Sequence, residues 1–422
     1  MKPDANKTRT LWLTGTLHAF THLYQVALMP LYLLIQKDLG LQSVSQATLL
    51  LTVLMVACFG PSYPIGILAD KFSRKKLLTI GLIVNGLGFV GLAAAPNLAV
   101  ALMAVVIAGV GGSFYHPAAT AMIARLFPTS TGKAFGLVGI GAGAGFFVGP
   151  IYTGWRVATL EPVLGAAAWR RPVLELGVLG IITALLFAWL AERDRPAAST
   201  EQKSRPPEKL FPTPALWFFF LAYCIAFSFR DFAGSSMGSL GSLFLQQARG
   251  YDPKWTGFAL SGIFIAAIIS NPLFGSLSDG GRKRWISLAL VVAAIMMVIF
   301  PHVPSRWTIP VYFVYGFFFM ASYPITEAAL MESVPDAIRG RVFGLFVMAG
   351  GVIGNLSHWV VGTEVKRLGA AAHSPSAYFA IYTGLAVVLL VSLTGLLCLD
   401  PIRKREHLKP KESSPGSIAL PT

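Results

Sequence analysis

Charge is scarce in this 422-residue sequence. Only 13% of the residues are Asp, Glu, Lys or Arg, whereas 55% are hydrophobic and the mean hydropathy is +0.64. A water-soluble fold cannot bury that much apolar surface, so a soluble globular protein is excluded. The apolar runs are continuous instead of alternating with polar residues, which excludes a membrane β-barrel. The sequence therefore predicts an all-α integral membrane protein.

Cysteine and the common catalytic motifs are scarce as well. The three cysteines, Cys58, Cys224 and Cys398, lie inside apolar runs, where a thiol usually behaves as a small hydrophobic group, so we expect no disulfide. The sequence contains no nucleophile elbow, phosphate-binding loop, paired carboxylate motif or metal-ligand cluster. We therefore expect neither an enzyme nor a protein that holds a cofactor or a metal ion.

Twelve apolar stretches are long enough to be transmembrane helices, because a bilayer core of roughly 30 Å needs about 20 apolar residues per helix. The first stretch, from Leu11 to Ile35, is too long for a signal peptide and has no small-residue cleavage site. The predicted spans, numbered 1 to 12 in chain order, cover approximately residues 11–35, 45–69, 77–95, 98–124, 134–154, 173–191, 214–245, 255–277, 285–301, 308–332, 342–364 and 376–398.

The basic residues predict the orientation of these spans. The net charge is +15, and most of the 34 Lys and Arg residues lie before span 1, after the even-numbered spans or in the C-terminal tail. Basic loops are retained on the cytoplasmic side of a membrane. We therefore expect both termini in the cytoplasm and the chain in the cell (inner) membrane. The positive charge is attributed to topology, and no nucleic-acid partner is expected.

The chain also contains an internal repeat. Residues 66–76 resemble residues 275–284, and residues 132–137 resemble residues 340–345, so a unit of six spans occurs twice, about 208 positions apart. Because six is an even number, both copies have the same orientation in the membrane. The predicted organisation is a six-helix bundle over residues 1–191, a Pro- and charge-rich cytoplasmic linker over residues 192–213, a second six-helix bundle over residues 214–400 and a flexible cytoplasmic tail over residues 401–422.

The loops that follow spans 2 and 8 share a motif, in which a glycine is followed by an aspartate and then by a basic cluster. The residues are Gly66, Asp70 and Arg74 in the first copy and Gly275, Asp279 and Arg282 in the second. With this motif in both halves, the chain resembles the major facilitator superfamily of transporters over essentially its whole length. The resemblance implies two parallel six-helix repeats around a central site, with loops that lock the outward-open state. Glycine would let two helices approach closely there. Ser73 departs from the family pattern, which often has a second glycine.

Span 5 carries a second motif of this family, which occurs among exporters that exchange their substrate for protons. Gly136, Gly145 and the pair Gly149-Pro150 match the motif, whereas Thr153 replaces a glycine. A glycine-lined face bends at the proline and packs closely against a partner helix. The resemblance therefore implies antiport, with a gating role for Gly145, Gly149 and Pro150.

The first half also resembles one group within the family. The Tyr-His-Pro run that begins at Tyr115 in span 4, together with His18 and His22 in span 1, is similar to the fosmidomycin-resistance group of drug exporters. Two histidines four residues apart share one helix face, but they are a weak sign of zinc here, because no carboxylate is near them in sequence. We expect His22 and Gln25 to form a polar stripe that faces a cavity.

Polar and ionisable residues inside the spans are the candidates for substrate binding and proton coupling, because a charge near the bilayer centre costs about 2.5 to 3.5 kcal/mol unless it is paired or hydrated. In the family, spans 1, 4, 7 and 10 line the central cavity. The candidates are His22 and Gln25 in span 1, Tyr115 and His116 in span 4, Arg230 and Asp231 in span 7, Asn271 in span 8, Tyr323 and Glu327 in span 10, and Asn355 in span 11. Arg230 occupies the repeat position of His22, so the two are expected to face each other.

Glu327 is the predicted proton carrier. A carboxyl group in a low-dielectric cavity is neutral more readily than in water, so it can bind and release a proton as its surroundings change. Arg230, the only cation within a predicted span, is expected to bind substrate. Arg230 and Asp231 are about 100° apart on a helix and need not pair. The Gly- and Ser-rich residues 234–242 are expected to break span 7 and to form a hinge.

The sequence thus predicts a proton-coupled antiporter that exports a small amphipathic or anionic organic compound or drug by alternating access. The alternative is a proton-coupled symporter that takes up a carboxylate- or phosphate-bearing metabolite, which the same residues could serve. The expected partners are a small-molecule substrate, protons and the lipid bilayer, and the chain is expected to function as a monomer. A membrane-embedded enzyme and a structural or receptor protein are disfavoured, since neither needs polar groups at equivalent positions of both repeats.

Overall fold

The computed structural model describes residues 5–192, 210–335 and 338–406, without the side chains of Asp70 and of residues 404–406. Within these ranges the chain is almost entirely helical and has no β-strand. Ten helical stretches of the described chain are long and apolar enough to cross a membrane, and one of them, Thr131–Leu190, contains two successive transmembrane helices. The predicted all-α membrane fold is confirmed.

Six spans form the first half of the bundle. Their helices are Ala5–Val26 and Tyr32–Asp38 (span 1), Val44–Phe59 and Ser62–Lys71 (span 2), Arg74–Ala94 (span 3), Leu98–Ser113 and Tyr115–Leu126 (span 4), Thr131–Leu164 (span 5) and Arg170–Leu190 (span 6). Span 5 is longer than predicted, since its helix continues from the expected end at Gly154 to Leu164.

Six further spans form the second half. Their helices are Pro214–Leu243 (span 7, continued by the π-helical residues Phe244–Ala248), Pro253–Leu277 (span 8), Arg282–Ile299 (span 9), Thr308–Met331 (span 10), Arg339–Asn355 and Ser357–Leu368 (span 11), and Phe379–Val391 and Leu396–Glu406 (span 12). Helices of the described chain therefore correspond to all twelve predicted spans, including span 1, which is not among the ten stretches counted by length and hydropathy. The predicted linker stays a prediction, because its residues 193–209 lie outside the described ranges.

The C-terminal tail begins later than predicted. Residues 401–406 continue the helix Leu396–Glu406, and Ile402 is fully buried. Asp400 forms an ion pair with Lys283, with 2.7 Å between Oδ2 and Nζ. The burial of Ile402 explains why the chain stays helical past residue 400. The rest of the predicted tail, residues 407–422, lies outside the described ranges.

Span 7 is not broken by its Gly- and Ser-rich segment, contrary to the prediction. The helix Pro214–Leu243 is continuous. Its glycines let large side chains approach the helix backbone: Gly234 lies against the Phe319 ring and Gly241 against the Tyr312 hydroxyl. The small residues therefore serve close helix packing, which is their usual use in membrane proteins, and they introduce no hinge in this conformation.

Prolines lie within four of the spans. Span 1 is interrupted by the 3-10 turn Met29–Leu31, which contains Pro30. Pro150, Pro272 and Pro324 lie inside the helices of spans 5, 8 and 10. Each of these prolines removes a backbone hydrogen bond and favours a bend. Residues of all four spans line the central cavity, so these prolines lie in helices that form the site.

Hydrogen bonds between described residues join the two halves at the face opposite to the termini, which we call the far face. The hydroxyl groups of Tyr32 and Ser239 lie 2.8 Å apart. Ser242 Oγ donates to the carbonyl oxygen of Met29 at 2.6 Å. These residues lie in the parts of spans 1 and 7 that are remote from the termini. The bundle is therefore held closed at the far face.

Spans 5 and 8 bring the backbones of the two halves into direct contact at the far face. Gly154 lies against the carbonyl oxygen of Pro253, and Gly257 lies against that of Pro150. Neither glycine has room for a Cβ atom. Small residues at this crossing permit the close approach of the two helices.

Candidate functional site

A cavity of about 380 Å³ lies between the two halves and has the size of a small-molecule site. Spans 1, 2, 4, 5, 7, 8, 10 and 11 contribute to its wall. All but one of the residues predicted for substrate binding and proton coupling line it, namely His22, Gln25, His116, Arg230, Asp231, Asn271, Tyr323, Glu327 and Asn355. The internal repeat and the polarity of these positions were the signals that found them.

Tyr115 is the predicted site residue that the structure places elsewhere. Its hydroxyl group donates to the carbonyl oxygen of Thr14 at 3.0 Å, and its ring stacks on His18 with the centroids 4.6 Å apart. Adjacent residues on a helix point about 100° apart, so when His116 faces the cavity Tyr115 faces span 1. Its observed contacts are packing contacts within the first half.

Arg230 and Asp231 form a buried ion pair, which was not expected between adjacent residues of a helix. Arg230 Nη2 and Nε lie 2.8 Å and 2.9 Å from Asp231 Oδ1. The Arg230 side chain is 1% exposed, and its guanidinium group lies 4.0 Å from the centroid of the Tyr323 ring. An unpaired buried charge is strongly unfavourable, so the long arginine side chain folds back onto its neighbour.

Two polar atoms in the cavity wall have no hydrogen-bond partner within the described part of the chain. One is Nη1 of Arg230, and the other is Oδ1 of Asn271. Both atoms are buried. Buried donors and acceptors are nearly always satisfied in proteins, so each such atom calls for a partner that the described part of the chain does not supply.

Glu327 lies on the same part of the wall, one helical turn beyond Tyr323. Among the described residues, no ion pair within 4 Å joins Glu327 to Arg230, because Asp231 occupies that position on the guanidinium group. A structural ion pair between Glu327 and Arg230, which the sequence left open, is therefore not formed in this conformation. The carboxyl group of Glu327 faces the cavity and is available to a ligand.

Asn355 and His358 belong to a hydrogen-bonded network at the far end of the cavity. His358 Nδ1 lies 2.7 Å from Ser239 Oγ, and His358 Nε2 lies 3.0 Å from Asn355 Oδ1. Ser239 continues the network to Tyr32 of the first half. His358 was left out of the predicted site, although it lines the cavity. Its position could have been predicted, because His358 is a polar residue about one helical turn beyond Asn355 in the same span.

His18, His22 and His116 form a cluster at the edge of the cavity. His22 Nε2 lies 3.0 Å from His18 Nε2, and His22 Nδ1 lies 2.8 Å from Gln25 Oε1. His18 Nδ1 lies 3.0 Å from the carbonyl oxygen of Val138 in span 5. The His116 ring centroid lies 5.4 Å from those of both other histidines. His116 was a predicted site residue, but its position beside His18 and His22 was not predicted.

Aromatic and thioether side chains form an apolar part of the wall. The rings of Phe146 and Phe264 stack with their centroids 4.8 Å apart and an interplanar angle of 9°. Phe146 also contacts His22, at 4.3 Å between ring centroids. Further apolar lining residues are Val26, Met29, Met55, Phe59, Ile263, Phe319, Met320, Phe346 and Val347. The cavity therefore combines a charged part with an apolar part.

The second loop motif forms ion pairs within its own half. Arg282 Nη2 lies 2.9 Å from Asp279 Oδ1 and 2.7 Å from Glu332 Oε1 at the end of span 10. A Cβ atom at Gly275 would meet nothing within 4 Å. The predicted close helix approach at Gly275 is therefore wrong for this conformation, because the neighbouring half does not contact it.

The first loop motif is only partly described. A Cβ atom at Gly66 would lie 4.0 Å from Pro117 Cβ, which is an ordinary contact, so close helix approach does not require Gly66 here either. The side chain of Asp70 is not among those that the structure describes. Lys75 Nζ donates to the carbonyl oxygen of Ala191 at 2.6 Å, which ties the loop to the end of span 6.

The span 5 motif packs against span 1. Gly145 lies against the carbonyl oxygen of Ala19 and Gly149 against Leu23 and Val26, with no room for a Cβ atom at Gly145. Pro150 contributes the carbonyl oxygen that contacts Gly257 across the two halves. The motif thus joins span 5 to span 1 on one side and to span 8 on the other.

Comparisons with known proteins agree on the class of molecule. A family model described as Major Facilitator Superfamily matches residues 11–358. The chain is 26% identical to the multi-drug resistance efflux pump PmrA of Streptococcus pneumoniae over 418 residues, which cover 96% of this chain and 97% of PmrA. It is 25% identical to the quinolone resistance protein NorA of Staphylococcus aureus over 293 residues, which cover 68% of this chain and 71% of NorA.

Solved structures share the fold. An inward-facing bacterial homologue of the human lysosomal transporter Spinster superposes with a TM-score of 0.80 at 15% identity, covering 96% of this chain and 99% of the other. The nucleoside transporter NupG superposes with a TM-score of 0.73 at 18% identity, covering 92% and 99%. At such identities the likeness establishes the arrangement of the helices.

Proposed function

This chain belongs to the Major Facilitator Superfamily, and on that basis we propose that it is a proton-coupled antiporter that exports a small amphipathic compound carrying an anionic group. It is a multi-pass membrane transporter and not an enzyme. The observation that carries the proposal is the make-up of the central cavity. An arginine with one unpaired nitrogen lies in the same wall as the carboxyl group of Glu327, which forms no ion pair with a described residue, and as stacked aromatic rings.

Arg230 is the proposed binding group for the anion. Asp231 occupies its Nε and Nη2 atoms, whereas Nη1 is buried without a partner in the described chain. A carboxylate or phosphate oxygen of a substrate can accept from Nη1, and hydrogen bonds to charged groups are roughly twice as strong as neutral ones. The unpaired Asn271 Oδ1 can accept a hydrogen bond from a second polar group.

The apolar part of the wall is proposed to hold the remainder of the substrate. The stacked rings of Phe146 and Phe264 offer a flat aromatic surface. Met29, Met55 and Met320 also line the cavity. Methionine side chains are flexible and adapt to ligands of different shape. Such a wall favours amphipathic compounds over small, fully hydrated metabolites.

Glu327 is the proposed proton carrier. The charge of the substrate determines whether protonation of Glu327 competes with substrate binding or accompanies it. In an antiporter, proton and substrate must compete. They compete when the ionised carboxylate of Glu327 accepts a hydrogen bond from a cationic N–H group of the substrate, because protonation removes that acceptor. A substrate with an anionic group at Arg230 and a cationic group at Glu327 therefore supports exchange of substrate for protons.

The second candidate function is proton-coupled uptake of a purely anionic metabolite. A bound anion at Arg230 would place a second negative charge near Glu327 and would favour protonation of its carboxyl group. Proton and anion would then bind together, as a symporter requires. The spacing of Gly145, Gly149 and Pro150 in span 5, and the efflux pumps among the relatives, support export as the first proposal.

The orientation of the chain is part of the proposal. With both termini in the cytoplasm of a cell (inner) membrane, the far face is the external face, and its hydrogen bonds close the cavity to the outside. We infer that this conformation is inward-facing and takes up substrate from the cytoplasm. Function as a monomer remains a prediction from the sequence.

Drug accumulation in cells tests the proposed direction. A fluoroquinolone is a suitable probe, because it carries a carboxylate and an amine on an aromatic ring system. Cells that overproduce the chain are expected to accumulate less of it than cells that overproduce Arg230→Gln, and an uncoupler should abolish the difference. Increased accumulation in cells with the unmodified chain would instead support the symporter.

A further inference from the structure

Three ring nitrogens converge at the edge of the cavity, from spans that are far apart in sequence. His18 and His22 lie on one face of span 1, and His116 lies in the first turn of the second helix of span 4. One ring nitrogen of each histidine lies within 4.8 Å of the other two. The proposed function assigns no role to His18, His22 or His116, so it does not account for this convergence.

Hydrogen bonds at the opposite ring edges fix the two histidines of span 1. His18 Nδ1 faces the carbonyl oxygen of Val138 at 3.0 Å, and a carbonyl oxygen only accepts, so Nδ1 carries the hydrogen. His22 Nδ1 faces Oε1 of Gln25 at 2.8 Å and, with the amide in this orientation, donates to it. In both neutral rings Nε2 is then left with a bare lone pair.

The two bare Nε2 atoms of His18 and His22 face each other at 3.0 Å. Two nitrogen lone pairs at this distance repel each other unless a positively charged species lies between them. A proton shared between the two Nε2 atoms would be such a species, but it would not require a third nitrogen nearby. The ring of His116 adds a third nitrogen within reach, and three converging imidazole nitrogens are a ligand set for a transition-metal ion.

Two of the three nitrogens already have nearly the spacing of a tetrahedral site. Zn–N bonds of about 2.0 to 2.1 Å place two ligand nitrogens roughly 3.3 Å apart. The His18–His22 distance of 3.0 Å needs little change, and a rotation of the His116 side chain brings its nitrogen nearer. Histidines that bind metals usually donate their other N–H to a carbonyl or carboxylate oxygen, as His18 and His22 do here.

The surroundings leave one coordination position open. Tyr115 stacks on His18 and Phe146 covers His22, which restricts the movement of both rings. Among the described residues, the cluster has no carboxylate or thiolate member. His22 and His116 line the cavity, so the fourth position faces it. A divalent ion bound to three neutral ligands keeps its charge and favours water or an anionic group as the fourth ligand.

We propose that His18, His22 and His116 form a binding site for a divalent transition-metal ion such as Zn²⁺, with its fourth position open to the central cavity. The site is separate from Glu327, and its test measures binding instead of transport. Failure of the proposed export function would therefore leave this proposal standing, and the reverse also holds.

Metal titration of the purified full chain tests the proposal. The protein is prepared in detergent with a histidine-free affinity tag, treated with a chelator and titrated with Zn²⁺ by calorimetry. A parallel titration with Co²⁺ is followed by its visible absorption spectrum, which is intense for tetrahedral and weak for octahedral coordination. We expect one Zn²⁺ per chain, a tetrahedral Co²⁺ spectrum and a higher melting temperature with Zn²⁺.

Variants locate the site. His18→Gln, His22→Gln and His116→Gln are each expected to weaken Zn²⁺ binding by about tenfold or more. His358→Gln is the matched control, because it also removes a buried cavity histidine with two side-chain hydrogen bonds, and it should bind Zn²⁺ as the unmodified chain does. Melting temperatures of the metal-free variants identify any variant that fails to fold.

Three results would overturn the proposal. One is the absence of saturable Zn²⁺ binding to the unmodified chain, which needs no variant to interpret. The second is Zn²⁺ binding of unchanged affinity in all three cluster variants. The third is an octahedral Co²⁺ spectrum, which would contradict a site made of three histidines with one open position.

Discussion

At the scale of single residues, Arg230 determines the character of the cavity. Its side chain is almost completely buried, pairs with Asp231 and lies over the ring of Tyr323. The effective penalty for burying an ion is several kcal/mol, which the ion pair and the cation–π contact offset only in part. The remaining hydrogen-bonding capacity, at Nη1, is directed to no described residue. A charge kept under these conditions is suited to binding an anionic ligand.

The Arg230–Asp231 pair gives a stability prediction. Asp231→Asn removes one partner and leaves a buried guanidinium group unpaired, so we expect a loss of about 3 to 5 kcal/mol, as for other broken buried pairs. The double variant Arg230→Gln/Asp231→Asn should recover part of that loss. Melting temperatures in detergent provide the comparison, with Glu327→Gln as the control that breaks no ion pair of the described residues. Additive losses in the double variant would show that the two side chains do not stabilise each other.

Residue-level prediction succeeded where polarity alone identifies a position. A polar or charged residue in the middle of an apolar span must face a cavity or another helix, and this rule found Arg230, Glu327 and Asn271. It could not find the pairing of Arg230 with Asp231, which depends on how the arginine side chain folds. It also could not join His116 to His18, because nothing in the sequence relates the rotation of span 4 to that of span 1.

At the scale of helices, span 5 connects the two halves through small residues. Its backbone meets span 1 at Gly145 and span 8 at Gly154, and both contacts are too close for a Cβ atom. Dispersion contacts and close backbone approach are the main sources of helix association in a membrane, where lipid competes for apolar side chains. Substitutions at these glycines therefore act through helix packing instead of through the cavity.

Gly145 and Gly139 offer a matched pair of substitutions in span 5. Gly145→Leu should stop transport, because the side chain would collide with the backbone of Ala19. Gly139→Leu should retain most of the transport, since a Cβ atom there would meet nothing within 4 Å. Fluoroquinolone accumulation and expression level are measured for both variants. Equal loss in the two would mean that span 5 tolerates no bulk anywhere and that the specific contact is irrelevant.

The sequence predicted the number and approximate limits of the helices because apolar runs of the required length define them. It was less successful with interruptions. Pro30 does coincide with the break in span 1, since proline cannot continue the hydrogen-bond pattern. The Gly- and Ser-rich residues 234–242 of span 7 were expected to break their helix, yet they accommodate Phe319 and Tyr312 instead. Only the neighbouring helices distinguish a hinge from a packing surface.

At the scale of the whole molecule, the contacts between the halves are unevenly distributed. Hydrogen bonds from Tyr32 to Ser239 and from Ser242 to Met29, and the crossing of spans 5 and 8, hold the far face together. The second loop motif, on the face that carries the termini, forms ion pairs within its own half. Alternating access would require the far-face contacts to separate while the loops make new contacts.

The loop aspartates test this conformational exchange. Asp279 is 71% exposed and its ion pair with Arg282 is local, so Asp279→Asn should change stability by at most about 1 kcal/mol. If the loops lock the outward-open state, Asp70→Asn and Asp279→Asn should both shift the population towards the inward-open state, with the larger effect for Asp70. Distance distributions between spin labels on the termini-side ends of spans 5 and 8 report the shift.

Glu364→Gln is the control for this experiment, because Glu364 is an acidic residue of the second half whose ion pair with Arg367 is local and lies outside the motif. The control should leave the distances unchanged. Unchanged distance distributions in both loop variants would show that the loop motifs do not lock the outward-open state. A shift in the control as large as that in Asp70→Asn would show a general charge effect instead.

The division into two halves was readable from the repeat, but the conformational state was not. Gly66 and Gly275 predicted close helix contact, and the structure shows ordinary or open space around both positions. The reason is physical: a transporter sequence must satisfy at least two arrangements of its halves, and a residue can be required in only one of them. Sequence patterns therefore record contacts of both states, whereas one structure contains the contacts of one.

The central claim, that Glu327 carries the coupling proton, is tested most directly by fluoroquinolone transport in proteoliposomes that contain the Glu327→Gln variant. The account predicts that this variant exchanges external for internal fluoroquinolone but loses the uphill transport that a pH gradient drives. The control is Glu332→Gln. Glu332 is an exposed glutamate just after the same span, where it pairs with Arg282, and its neutralisation should leave both activities intact. Uphill transport at the unmodified rate in Glu327→Gln would contradict the account.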